Sequence, residues 1–287
     1  DMDHWVTRKI HESGIIGGNT KLLYELGPTQ VIEGNEAYTN KGGSPWANSN
    51  VMAKVVGIVK TNTSVYPEKR GNGYCAKLET HIEKVKVLGM VNITVLASGS
   101  LFLGDMKEPI TGTKDGEKAL NVGVPFNQRP KAVRFDYKVK MSGQLDRIKQ
   151  NGFSRKSVVK GQDCAIMTCI LQKRHEDSEG NIIAKRIGTA VVRYNKSTDW
   201  KNKATYEIHY GDISKTGYYD AEIMRLGVGD YYARNSKGKS VMIKENGWAA
   251  ADETPTHMIL QFTSSLGGAF IGSPGNTFWI DNVELVY

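Results

Sequence analysis

Cysteine and proline are scarce in this chain, with three cysteines and eight prolines in 287 residues. Cys164 and Cys169 are five apart and point to opposite faces of a strand. With Cys75 they make neither a disulfide framework nor a zinc spacing, so buried free thiols are expected. No run approaches 18 consecutive apolar residues, which excludes a membrane-spanning helix. The six histidines, His4, His11, His81, His175, His209 and His257, hold no HExxH spacing. A GxSxG elbow, a P-loop and a dinucleotide fingerprint are also missing; "GGNT" at 17–20 reads as a turn. The chain opens without the pattern of a secretory leader, so any targeting segment is expected to lie outside these residues.

The net charge is +8, yet the basic residues sit in short mixed runs such as "KRHEDSEGNIIAKR", and no basic stretch is interleaved with aromatics. Nucleic acid is therefore not expected as a partner. A solvated surface that leans towards an acidic partner fits the charge better.

Glycine, by contrast, is plentiful, with 31 residues, and its distribution points to many tight turns. Between those turns the sequence alternates. In "VRFDYKVKM", Val133, Phe135, Tyr137, Val139 and Met141 share one face, and charged residues fill the other. "CAIMTCILQKR", "DSEGN" and "IIAKRIGTAVVRYN" read as strand, hairpin turn and strand. "HMILQFTSS" aligns Met258, Leu260 and Phe262, while "GYCAKLET" and "VKVLGMVNITVLASG" add strands. Only "NTKLLYEL" and "YYDAEIMRL" suggest short helices. The expectation is an all-β, antiparallel β-sandwich of the jelly-roll, galactose-binding-like kind, forming a single domain over 1–287. Residues 211–256 interrupt the rhythm as a long insertion rich in tyrosine. A segment of that length in a compact domain is usually functional or disordered, and its aromatic content argues against disorder.

In the last segment, "NTFWIDNVELVY", period two puts Asp281 on one face with Trp279, Val283, Leu285 and Tyr287. A carboxylate among apolar neighbours needs a counter-charge, several N–H donors or a metal. Trp5 and Trp279 read as core.

The succession "DHWVTRKI", "SPWANSNV", "YCAKLET", "SGSLFLGDM", "VGVPFNQRPKAVRFDYKVK" and "QFTSSLGGAFIGSPGNTFWIDNVELVY" resembles the putative carbohydrate metabolism domain family. The likeness runs in order over nearly the whole chain. It implies a fold like that of carbohydrate-binding jelly rolls, and an extracytoplasmic place, periplasmic or at the cell surface, in glycan-foraging Gram-negative bacteria.

A sugar site needs flat aromatic area for pyranose faces and side chains that bond hydroxyls in pairs. Trp46, in the turn-rich "KGGSPWANSN", is the first candidate; the alternative is that it caps the sandwich end. Phe126 and Arg129 in "GVPFNQRP" follow, with Pro130 holding Arg129 extended for bidentate bonding to a sugar or for neutralising Asp281. Tyr218, Tyr219, Tyr231, Tyr232 and Trp248 are the candidates within the insertion. Carbohydrate-binding jelly rolls often hold a structural calcium, which Asp281 with Asp3 or Glu12 would ligate here. Non-catalytic carbohydrate binding is thus expected. The alternatives are a glycoside hydrolase using loop acids (Asp105 with Glu108, or Asp252 with Glu253) and an adhesive protein-binding module.

Overall fold

The computed structural model describes residues 1–38, 40, 43–55, 57–87, 91–112, 116–152, 155–268 and 270–287. Two sheets stack as a β-sandwich. The five-stranded sheet runs in the order Thr198–Glu207, Ala132–Lys140, Thr277–Val286, Gly73–Glu79 and Val65–Arg70, antiparallel throughout. The nine-stranded sheet has Leu120–Val122, Ser100–Met106, His257–Thr263, Ala165–Glu176, Ile182–Tyr194 and His209–Tyr210 along its main path. Trp46–Asn48 pairs with Ser100–Met106, Val124–Pro125 pairs with His257–Thr263, and Lys244–Trp248 runs parallel to Ile182–Tyr194.

The alternation expected at 133–141 holds, because Val133, Phe135, Tyr137, Val139 and Met141 all meet the main core. Met258, Leu260 and Phe262 approach it from the opposite sheet. Phe135 and Phe262 meet edge-on with ring centroids 5.0 Å apart, which couples the two layers. Strand Ala165–Glu176 is buried on both faces. Ala165, Met167, Cys169 and Leu171 face the main core, whereas Ile166 and Ile170 pack into two outer clusters. A strand covered on both sides needs apolar residues at consecutive positions, and "AIM" and "CIL" supply them. Cys164 and Cys169 do lie on opposite faces, and all three thiols are free and buried.

Two expectations change. "NTKLLYEL" is not helical; Thr20–Leu26 pairs with Trp5–His11 in a separate three-stranded sheet, with Leu23 and Glu25 buried at spacing two. "YYDAEIMRL" contains the expected helix only as a single turn, Ala221–Met224, capped by the Asp220 carboxylate, which accepts from Glu222 N–H at 3.0 Å. The "VKVLGMVNITVLASG" segment forms parts of strands His81–Val87 and Val91–Ala97, and its residues 88–90 lie outside the described residues.

The last strand departs from strict alternation. Phe278 and Ile280 are the residues that enter the main core, and Val283 and Leu285 rejoin it after a register shift opposite Arg134 and Asp136. Asn282 has φ +50°, so one extra residue resets the period. Trp279 and Asp281 consequently sit on the outer face. Both are buried there, Trp279 beneath the ammonium of Lys138, which lies 4.6 Å from its ring centre. Trp5 belongs to the core as expected.

Candidate functional site

A cleft of about 280 Å³ opens beside Trp46, lined also by Asp1, His4, Leu26, Gly27, Pro28, Gly43 and Ser44. This is near the lower end of small-ligand sites, roughly 300–1,000 Å³. Trp46 reaches the cleft because its strand is anchored: Leu103 is its cross-strand partner, and Phe262 packs 6.2 Å from its ring. Asn40 ties down the residues just before Trp46. Asn40 Oδ1 accepts from the backbone N–H groups of Gly43 (3.1 Å) and Ser44 (3.3 Å), and its amide donates to the Ser44 carbonyl. The Ser44 hydroxyl accepts from Trp46 N–H at 3.2 Å, which leaves its own proton to donate. His4, exposed, is held through Nδ1 by Thr29 at 3.3 Å. The cleft therefore combines a half-buried aromatic and a hydroxyl with an exposed imidazole and a carboxylate from the N-terminal segment.

Phe126 joins Trp46 at the margin of the same core. Arg129 is exposed and does not reach Asp281. Its guanidinium donates to the carbonyls of Ala251 and Glu253 and lies 4.4 Å over the Tyr210 ring, so it clamps the end of the insertion. Pro130 contributes by accepting from the Tyr210 hydroxyl at 2.7 Å.

The insertion covers the outer face of the nine-stranded sheet. Tyr218, Tyr219 and Trp248 pack with Ile166, Val191, Ile213, Ile223 and Met224. The Tyr218 hydroxyl bonds both backbone groups of Val191, and its ring stacks 3.8 Å from His209. Tyr231 packs into the neighbouring cluster, and burial pushes its hydroxyl up to about 12. Tyr232 is half-buried at the start of the hairpin Tyr232–Arg234 with Ser240–Met242. Tyr218, Tyr219, Trp248 and Tyr231 thus belong to clusters separate from the one Trp46 joins.

Asp281 finds an arginine, but it is Arg70. Oδ2 lies 2.7 Å from Arg70 Nη1, while Oδ1 accepts from the backbone N–H of Met2 at 3.3 Å and of Asn282 at 2.7 Å. Asp3 is engaged elsewhere, accepting from Tyr74 N–H at 2.8 Å. Glu12 accepts from Thr61 N–H at 3.0 Å and pairs with Lys60 at 3.0 Å. Both oxygens of Asp281 and one each of Asp3 and Glu12 are thus engaged by nitrogen donors on separate partners. Among the described residues no group of three His, Cys, Asp or Glu side chains is placed to hold a metal.

The loop acids are likewise committed. Asp105 pairs with Arg234 at 2.6 Å and accepts from Asn121 at 2.7 Å. Glu108 is buried on Arg8, 2.6 Å from Nη2, and takes the N–H groups of Met52 and Tyr38. Glu253 bonds Lys173 at 2.6 Å and Ala250 N–H at 3.1 Å, and both hold its carboxyl below the ordinary range. Neither Asp105 with Glu108 nor Asp252 with Glu253 has the character of two acids free to face a scissile bond.

Sequence reasoning missed Arg8, Glu25, Arg70 and Trp200. Trp200 carried a usable signal: it is the only tryptophan in the otherwise polar strand "TDWKNKATYE", where a ring has little apolar company. Arg70 carried none, because its partners Asp136 and Asp281 are distant in sequence.

No curated protein matches the chain. One solved structure that resembles it is described as a "putative glycoside hydrolase" from Bacteroides thetaiotaomicron. It is 19% identical with a TM-score of 0.47, over 93% of this chain and 75% of that one. The model of the family described as "Putative carbohydrate metabolism domain" matches residues 29–286, and the chain belongs to that family.

Proposed function

We propose that this protein binds carbohydrate without cleaving it, with the Trp46 cleft as the recognition site. The observation that carries the reading is the pinned ring of Trp46 in a preformed cleft edged by His4, Ser44 and Asp1. A rigid aromatic surface accepts the C–H face of a pyranose at little entropic cost, and the polar edge meets its hydroxyls. Membership of a carbohydrate-metabolism family supports a sugar partner. The engagement of Asp105, Glu108 and Glu253 in ion pairs favours binding over hydrolysis, which needs two acids roughly 5.5 Å apart for retention or 6.5–9.5 Å apart for inversion. An extracytoplasmic place, where polymeric glycans are met, goes with this reading.

The test is retention of the protein by a panel of neutral and acidic polysaccharides, compared with the Trp46→Ala variant. Retention that drops at least tenfold in the variant supports the assignment. Equal retention of the two proteins contradicts it.

A further inference from the structure

Two β-bulges converge on one aspartate on the outer face of the five-stranded sheet. The central strand Ala132–Lys140 has a register shift against each neighbour, on one side between Phe135 and Tyr137 and on the other between Arg134 and Asp136. The extra residues include Lys203 (φ +52°) and Asn282 (φ +50°), two of the four non-glycine residues with positive φ among the described residues. Such backbone is unfavourable for side chains larger than glycine and persists only where its surroundings hold it. Asp136 is what holds it here. Oδ1 accepts from Lys203 N–H at 2.6 Å, and Oδ2 accepts from the Asn282 amide at 2.9 Å.

Arg70 crosses this point. Nη1 lies 2.8 Å from Asp136 and 2.7 Å from Asp281, Nη2 donates to Asn202 Oδ1 at 2.7 Å, and the Trp200 ring centre lies 4.0 Å from the guanidinium carbon. The charges fix both amide orientations: Asn202 must turn its oxygen to the arginine, and Asn282 must turn its nitrogen to the carboxylate. Asn202 Nδ2, a donor, and Asn282 Oδ1, an acceptor, are thereby left free of the cluster on exposed residues, with no partner among the described residues. Trp200 is half-buried, with one face taken by Arg70.

We propose that Trp200, Asn202 and Asn282 form a second sugar-binding site, in which a sugar meets the part of the Trp200 ring left open beside Arg70 and its hydroxyls bond the two free amide groups. The proposal rests on the carbohydrate-binding reading and adds a face that the Trp46 cleft does not use. Trp46 pairs into the nine-stranded sheet, whereas Trp200 stands on the edge of the five-stranded one. Asp136 and Asp281 share the Arg70 guanidinium, and Lys203 adds a second positive charge beside them, so the cluster is close to neutral. With no surplus positive charge, the site suits neutral sugars.

The experiment is affinity electrophoresis of the wild-type protein, Trp200→Ala, Asn202→Asp and Trp46→Ala in gels containing a neutral β-glucan, xylan or mannan, or a polyuronate, with melting temperatures recorded alongside. Asn202→Asp keeps the acceptor for Arg70 and replaces the free donor with a charged acceptor, so it reports on the site even if Trp200→Ala is poorly folded. The expected result is at least a tenfold loss of affinity for a neutral polymer in Trp200→Ala and a severalfold loss in Asn202→Asp. Wild-type retardation of both variants on every polymer that retards the parent would overturn the second site and leave the first standing. A parent protein retarded by none of the polymers would remove the carbohydrate reading itself, and this site with it.

Discussion

Arg186 and Glu245 form a buried ion pair between the nine-stranded sheet and the insertion. Arg186 is wholly inaccessible; its Nε donates to Glu245 Oε1 at 2.9 Å and Nη2 bonds Oε2. Every remaining lone pair is addressed: Gln172 donates to Oε1 at 2.7 Å and Gly227 N–H to Oε2 at 2.9 Å, while the Met224 carbonyl accepts from Arg186 Nη1 at 2.6 Å. Burial pushes the Glu245 carboxyl upward, but Arg186 outweighs it and holds the group below the ordinary range. Removing one partner strands a buried charge, at a cost of about 3–5 kcal/mol. Glu245→Gln should show a loss of that size in urea unfolding, and Arg186→Met with Glu245→Leu a smaller one. A single-variant loss below about 1 kcal/mol would show that the insertion is not fastened here.

Asp136 ties the second proposed site to stability in acid. Burial raises its carboxyl, but Lys203 N–H, the Asn282 amide and Arg70 together hold it below the ordinary value. A depressed folded pKa contributes stability that is present above the unfolded value, about 3.9, and is lost as pH falls through the folded one. Melting temperature should therefore drop on acidification below about pH 4, and less steeply in Asp136→Asn. Parallel curves for the two proteins would contradict the assignment. Asp281→Ala, which frees Met2 N–H and Asn282 N–H, should lower the melting temperature by several degrees at neutral pH, about 1–3 kcal/mol.

Glu25 works in the opposite sense. It is buried beside Arg8, 3.3 Å from Nη1, and Arg8 is shared with Glu108. Burial is the main cause that lifts its carboxyl to about 8; Arg8 opposes the shift and Glu108 adds to it. A raised folded pKa contributes stability that is complete below the unfolded value, about 4.3, and lost as pH rises through the folded one. The protein should lose stability between about pH 5 and 9, and Glu25→Gln, which stays neutral, should flatten that slope. An unchanged slope would place the titration elsewhere.

Burial also governs the thiols. Cys75, Cys164 and Cys169 are each pushed up to about 12, chiefly by burial, so thiolate is negligible at neutral pH. An aromatic disulfide reagent at pH 8 should label none of them in the native protein and all three in guanidinium. Rapid native labelling of any one would mark a thiol open to solvent.

What could be read from the sequence follows from how local each signal is. Val133 to Met141 announced their face because every second residue is apolar, and the hairpin of Ala165–Glu176 with Ile182–Tyr194 was marked by its turn residues. The Thr20–Leu26 strand was misread because Leu22, Leu23 and Leu26 fit a helical spacing equally well, and only pairing with Trp5–His11 decides the matter. The last strand showed that Asp281 is buried and needs a partner, a counter-charge, N–H donors or a metal, and the structure supplies Arg70. It hid the face, because one residue with positive φ at Asn282 inverts the alternation. At the candidate site Trp46 was legible from its turn-rich neighbours. The roles of Arg129 and the insertion tyrosines were not, because each is set by a carbonyl or a strand face distant in sequence.

The most direct measurement incubates the protein with neutral and acidic polysaccharides and follows both its depletion from solution and the appearance of new reducing ends. Binding without cleavage predicts depletion by at least one polymer, weakened in Trp46→Ala, with reducing ends unchanged over time. New reducing ends that vanish in a carboxylate variant would contradict it and make the protein a hydrolase.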